Sequence, residues 1–97
     1  MTNYELVLPS DFQDYAYEVE SKGWYSGARL RCMGRQFSLT FYDPTRLRQE
    51  IEDELRRSPA FTAEPNLLVV ASVTEASMRN AVEHAVAAGL VEMFVSE

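Results

Sequence analysis

Apolar and polar residues alternate strictly from Ala28 to Cys32 and again from Phe37 to Phe41, which is the period-two rhythm of half-buried strands on either side of Gly34. A two-residue turn at Gly34-Arg35, with Gly34 supplying a positive φ, sets Cys32 opposite Phe37, Leu30 opposite Leu39 and Ala28 opposite Phe41. The other face then carries Arg29, Arg31, Ser38 and Thr40. A slip of one residue would scramble both faces, so the agreement of the two strands argues for the pairing. Cys32 becomes a small core residue on this reading.

The period lengthens after Tyr42. Asp43 is placed as an N-cap, Pro44 at the first helical position, and Leu47, Ile51 and Leu55 follow at intervals of four, predicting a helix that ends near Arg57. Pairs Glu52–Arg56 and Asp53–Arg57 are expected at its end. Arg46 and Arg48 fall near its start, where the helix dipole favours negative charge, and two explanations compete. They pair with Glu50 and Glu52, or they form an anion site with the exposed backbone N–H groups. The apolar run "LLVVASV" from Leu67 predicts a strand in the middle of a sheet. A second capped helix follows, from Thr74 through the stripe Met78, Ala81, Val82, Ala85 and Val86 to Gly89, and the alternation in "VEMFVSE" predicts a terminal strand.

The opening third carries both rhythms. "YELVL" alternates as a strand. In "SDFQDYAYEVESKG", Ser10 with Gln13 forms a capping box and Phe12, Tyr15, Ala16 and Val19 recur at helical spacing, yet Tyr15, Tyr17 and Val19 also alternate with Ala16, Glu18 and Glu20. Both readings of residues 11–22 give a single α+β domain over residues 1–97, with a mixed, mainly antiparallel sheet and two or three helices on one side of it. The helical reading matches a ferredoxin-like split β-α-β layout with an added C-terminal helix and strand, and the other an antiparallel meander feeding two helix–strand units.

Charge adds segregation to this picture. The net charge of −6 divides into −5 over residues 1–21, +5 over 22–48 and −6 over 49–97. Either the basic middle pairs with the acidic flanks, or it forms a basic patch on an acidic body. An acidic chain disfavours nucleic acid as a partner, and "GRQFSLTFY" offers no base-stacking platform because Phe37, Leu39 and Phe41 face the core. One cysteine and one histidine supply no metal-ligand spacing, and no glycine-rich dinucleotide loop is present, so neither metal nor cofactor is expected. No apolar run approaches the roughly 18 residues a membrane helix needs, and the first residues lack a signal-peptide pattern, so a soluble cytoplasmic protein is expected. Eight arginines to one lysine fit a GC-rich bacterial genome as readily as a physical requirement.

By elimination, the expectation is a non-catalytic protein-interaction or regulatory module. Its partner-binding candidates are Trp24 and Tyr25, placed in the loop "SKGWYSG", with Arg29, Arg31 and Arg46 near them, or else an acidic face of Glu50, Asp53 and Glu54. The alternatives are an anion or small-ligand site in the Arg29, Arg31 and Arg46 region, or a small enzyme with a site near Tyr42, Asp43, Arg46 and His84. An unprotected edge of the terminal strand would allow a homodimer.

Overall fold

A computed structural model describes residues 3–97. The chain runs through strand β1 (Tyr4–Val7), helix α1 (Phe12–Lys22), strands β2 (Trp24–Cys32) and β3 (Arg35–Tyr42), helix α2 (Pro44–Arg57), strand β4 (Leu67–Val69) and helix α3 (Glu75–Ala87), then a short 3-10 helix at Leu90–Met93. The described residues thus form an α+β structure with three α-helices and one mixed sheet, ordered β1-β2-β3-β4. The first two strand pairs are antiparallel and β3–β4 is parallel. The element order matches the helical reading of the opening third. A split β-α-β, however, needs a strand between β1 and β2, and here those two are direct antiparallel neighbours.

The hairpin faces are as the alternation requires, but the turn lies elsewhere. Met33 and Gly34 are its central residues, with φ of 55° and 72°, the two left-handed positions of a type I′ turn, which matches the right-handed twist of the strands. Leu30 therefore pairs with Phe37, Ala28 with Leu39, and Cys32 with Arg35. Pairing has moved by two residues from the expected register, and a shift of two leaves every side chain on its original face. Leu30, Phe37, Leu39 and Phe41 are fully buried, and Arg29, Arg31 and Ser38 are exposed.

A β-bulge at Ser26 and Gly27, between the pairs Tyr25–Phe41 and Ala28–Leu39, reverses the alternation farther up β2. Tyr25 would otherwise share the face of Arg29 and Arg31; the extra residue turns it into the core. Its ring folds over Gly27, where a Cβ would sit 2.7 Å from Tyr25 Cζ, so the position has no room for a side chain. Trp24 and Tyr25 thus belong to a strand, not to the loop expected of them.

Helices α1 and α3 cover one face of the sheet, through Phe12 and Val19 from the first and Met78, Val82 and Ala85 from the second. The capping box at α1 does not form: Asp11 is the N-cap without a side-chain bond, and the Gln13 amide donates to the Glu75 carboxylate instead. Gly23, at φ 72°, ends the helix with its N–H on Val19 O. α2 has the expected bounds, and Asp43 Oδ1 accepts the Arg46 N–H at 2.7 Å. It does not join α1 and α3. Its apolar stripe meets Tyr42 and Leu67, which alternate with Phe41 and Leu68 and so point from the opposite face.

Two sequence expectations fail at the C-terminal end. β4 is a three-residue strand at the sheet edge, not in its middle, because the chain leaves the sheet after Val69 and the apolar run continues only to bury Val70 and Val73. The last residues form no strand. Val91 enters the core, Phe94 packs edge-on against Phe37 at 6.0 Å, and residues 95–97 follow the end of β3 that β4 leaves vacant. Asn66 fills most of the ladder there, its amide bonding both Val95 backbone groups and Ser38 O, and Glu97 N–H donates to Gln36 O.

Candidate docking surface

The part of the sheet face that bears Arg29, Arg31 and Ser38 lies open, α2 meeting the same face only farther along, at Tyr42 and Leu67, and carboxylates satisfy the exposed guanidinium groups. Glu97 accepts hydrogen bonds from Arg29 Nη1 and Ser38 Oγ, and Arg31 Nη1 lies 3.5 Å from Glu5 Oε1. Arg35 donates to Ser96 Oγ at 3.1 Å and lies over the Phe37 ring. On α2, Arg46 grips Glu50 Oε1 through Nε at 3.2 Å and Nη2 at 2.9 Å, and Arg48 Nε reaches Glu52 at 3.3 Å. With Glu52 taken, Arg56 turns to Asp53 and Arg57 to Glu54, one residue short of the expected i,i+4 partners. The basic middle is therefore largely neutralised by the acidic flanks and by α2 itself. Each of these solvent-screened pairs is worth only about 0 to 1 kcal/mol, so their effect lies more in the surface potential than in stability.

The sequence-derived candidates separate in space. Trp24 is half-buried and Tyr25 buried, its ring 5.2 Å from Phe12 and its hydroxyl 3.4 Å from that of Tyr15. Arg29 and Arg31 share the open face, whereas Arg46 is held in the first turn of α2. His84 is exposed on α3, which packs on the face opposite to the Tyr42 side chain, so the enzyme candidates do not converge. Cys32 is buried. Among the described residues, no three His, Cys, Asp or Glu side chains stand close enough to hold a metal ion, and no helix is long and apolar enough to cross a membrane.

What the arrangement does build is a groove of about 480 Å3 between α2 and the segment leading into β4. Tyr42, Leu47, Ile51 and Leu67 supply its apolar surface, and Glu50, Glu54 and Glu64 its charged groups. Not one residue of α2 is buried, and Ile51 and Leu55 keep 38% and 36% of their surface. An apolar stripe such as this is ordinarily the core-facing side of a helix. Its spacing held a contrary signal: three apolar residues at strict intervals of four give one per turn and drift around the helix, whereas a core-facing helix needs a face about 100° wide with i+3 positions filled. α3, with Met78, Ala81, Val82, Ala85 and Val86, has that width.

The groove also shapes the acid–base behaviour of its tyrosine. Burial, then the carboxylates of Glu64 and Glu50, push the Tyr42 hydroxyl up from the ordinary 10.0 to about 12. Burial and the neighbouring Tyr15 hold Tyr25 higher still. Above pH 10 the unfolded chain loses phenolic protons that the native chain retains, so stability contributed by these groups is complete below pH 10 and falls as pH rises through 12. Thermal melts across that window are expected to show a declining Tm, and a Tyr25→Phe, Tyr42→Phe double variant a shallower decline. Equal slopes would mean that neither hydroxyl is shielded. Comparison with protein-family models, curated proteins and solved structures gave no match for this chain.

Proposed function

We propose that this protein is a protein-interaction module and that the face of α2 along the groove is where its partner docks. One observation carries the reading: a helix of 14 residues with its whole apolar stripe left partly in water. Removing such surface from water is worth about 25 cal/mol per Å2, a gain this fold leaves to an external partner. The surroundings add to it, with Phe61 74% and Val69 48% exposed in the flanking loop and edge strand. Of the acidic residues expected from the sequence to meet a partner, Glu50 and Glu54 line this groove, and Asp53 is turned to Arg56.

The test is co-purification from native lysate with two variants. Ile51→Asp should lose the partner, since it sets a charge in the apolar strip, and its thermal melt should stay close to that of the parent. Arg31→Glu should keep the partner. Retention of the same partners by Ile51→Asp would sink the reading. A second reading, carboxylate binding at Arg29 and Ser38, draws support from the Glu97 carboxylate lying between them. Loss of the partner with Arg31→Glu alone would favour that face.

A further inference from the structure

Three occupants fit an apolar groove of this length: a second copy of the chain, an extended strand added to β4, or a helix from another protein. We propose that the groove takes a cationic amphipathic helix, a segment with apolar residues at i, i+3, i+4 and i+7 and Lys or Arg beside them. This rests on the docking reading above and names the chemistry of the partner.

Charge complementarity selects that occupant. The charged groups lining the groove are Glu50, Glu54 and Glu64, with no cation among them. Arg46 and Arg57 engage the first two, but among the described residues Glu64 has no ion-pair partner. The same Glu64 and Glu50 carboxylates, after burial, hold the Tyr42 proton in place. The net charge of −6 draws a cationic segment in from a distance and repels an acidic one.

The same charges argue against a second copy. To overlap Leu47, Ile51 and Leu55 with their counterparts, two α2 helices must cross on a twofold axis near Ile51. That geometry sets Glu50 of one copy against Glu52 of the other and Arg46 against Arg56, while Arg48 against Glu54 brings opposite charges together. Repulsive pairings then outnumber attractive ones. An added strand fares no better: β4 offers three residues of edge, too short a template for main-chain recognition. α2 has 14 residues, about 21 Å at 1.5 Å per residue, which gives a partner helix room for nearly four turns of side-by-side packing.

The experiment is fluorescence anisotropy of labelled peptides, each about 18 residues long, titrated with the full chain at low and moderate salt. The probes are a Leu/Lys peptide with leucines at i, i+3, i+4 and i+7, the same composition scrambled, and the Leu/Glu counterpart. The patterned Leu/Lys peptide is expected to bind at least about tenfold more tightly than either control, and Glu50→Gln with Glu64→Gln to weaken it by about tenfold. Ile51→Asp should abolish the difference between patterned and scrambled probes. Equal binding of the scrambled peptide would reduce the effect to bulk charge and overturn the proposal. Tighter binding of Leu/Glu overturns the charge class but leaves docking at α2 standing. Dimerisation of the chain alone, removed by Ile51→Asp in sedimentation, assigns the groove to a second copy and also overturns it. If no peptide binds, the proposal fails, and the docking reading is judged separately by Ile51→Asp in the lysate.

Discussion

Gly23→Ala is expected to lower stability by about 2 to 3 kcal/mol, lowering the Tm of a chain this size by about 10 to 20 °C. Two costs combine. At φ 72° the residue is in the left-handed region, where a side chain costs roughly 1 to 2 kcal/mol. A Cβ here would also stand 2.6 Å from Asp43 Cγ, inside any tolerable contact, and Asp43 is the carboxylate that caps α2. Gly23 O in turn accepts the Asp43 N–H at 2.9 Å, so the end of α1 and the start of α2 are tied at one point. Moving the carboxylate off the Arg46 N–H forfeits a cap worth about 1 kcal/mol. Gly34→Ala is the internal control: φ is also 72°, but its Cβ would meet nothing within 4 Å. The difference between the two variants isolates the clash with Asp43. Equal losses at both positions would show that the two helix ends are not coupled, and denaturant titration measures this directly.

That coupling was not legible in the sequence, although both of its halves were. Lys22-Gly23 signals a helix end and Asp43-Pro44 a helix start, since capping chemistry is local and a few residues specify it. Nothing in the order of residues says that the two ends meet. The hairpin divides in the same way. Alternation put Leu30, Phe37 and Leu39 in the core and Arg29 and Arg31 outside, and these placements survive a turn found one residue earlier, because a register change of two keeps the faces. The bulge at Ser26-Gly27 is where local reasoning stops. An odd insertion reverses the alternation, and its requirement, a ring folded over a glycine, is a tertiary contact. Tyr25 was accordingly expected as a surface anchor and lies in the core.

The docking groove was not legible either, since the spacing of Leu47, Ile51 and Leu55 predicts a helix without saying what covers its apolar side. Leu47, Ile51 and Leu55 form a narrower strip than the face α3 presents, and the sheet surface that α2 could have covered is partly given to Arg29, Arg31 and Ser38. The "LLVVASV" run misled similarly. Burial there is interrupted, with Leu67 and Leu68 half-buried and Val69 exposed in a short edge strand and only Val70 and Val73 buried in the coil before α3, and periodicity alone does not separate this from a central strand. The segment 95–97 mimics a strand through one backbone bond and the Asn66 side chain, a substitution that depends on residues about 30 positions away.

Phe41→Ala is expected to cost about 3 to 5 kcal/mol, the largest single loss named here. The ring is fully buried on β3, opposite Tyr25 on one side and Leu68 on the other, so truncation leaves a cavity lined by two strands that hydrogen bonding keeps from closing. Ile51→Ala supplies the contrast. Removing a comparable volume of hydrocarbon from a side chain already partly in water forfeits little burial, and alanine has the higher helix propensity, so the net cost should be below about 1 kcal/mol. Two apolar truncations of such unequal cost separate residues the fold depends on from residues it leaves available. Partner binding should rank them in reverse at a temperature where both variants remain folded, with Ile51→Ala weakening binding and Phe41→Ala sparing it. Should Ile51→Ala destabilise the chain as severely as Phe41→Ala, the α2 stripe would belong to the core after all, and the case for docking there would lose its foundation.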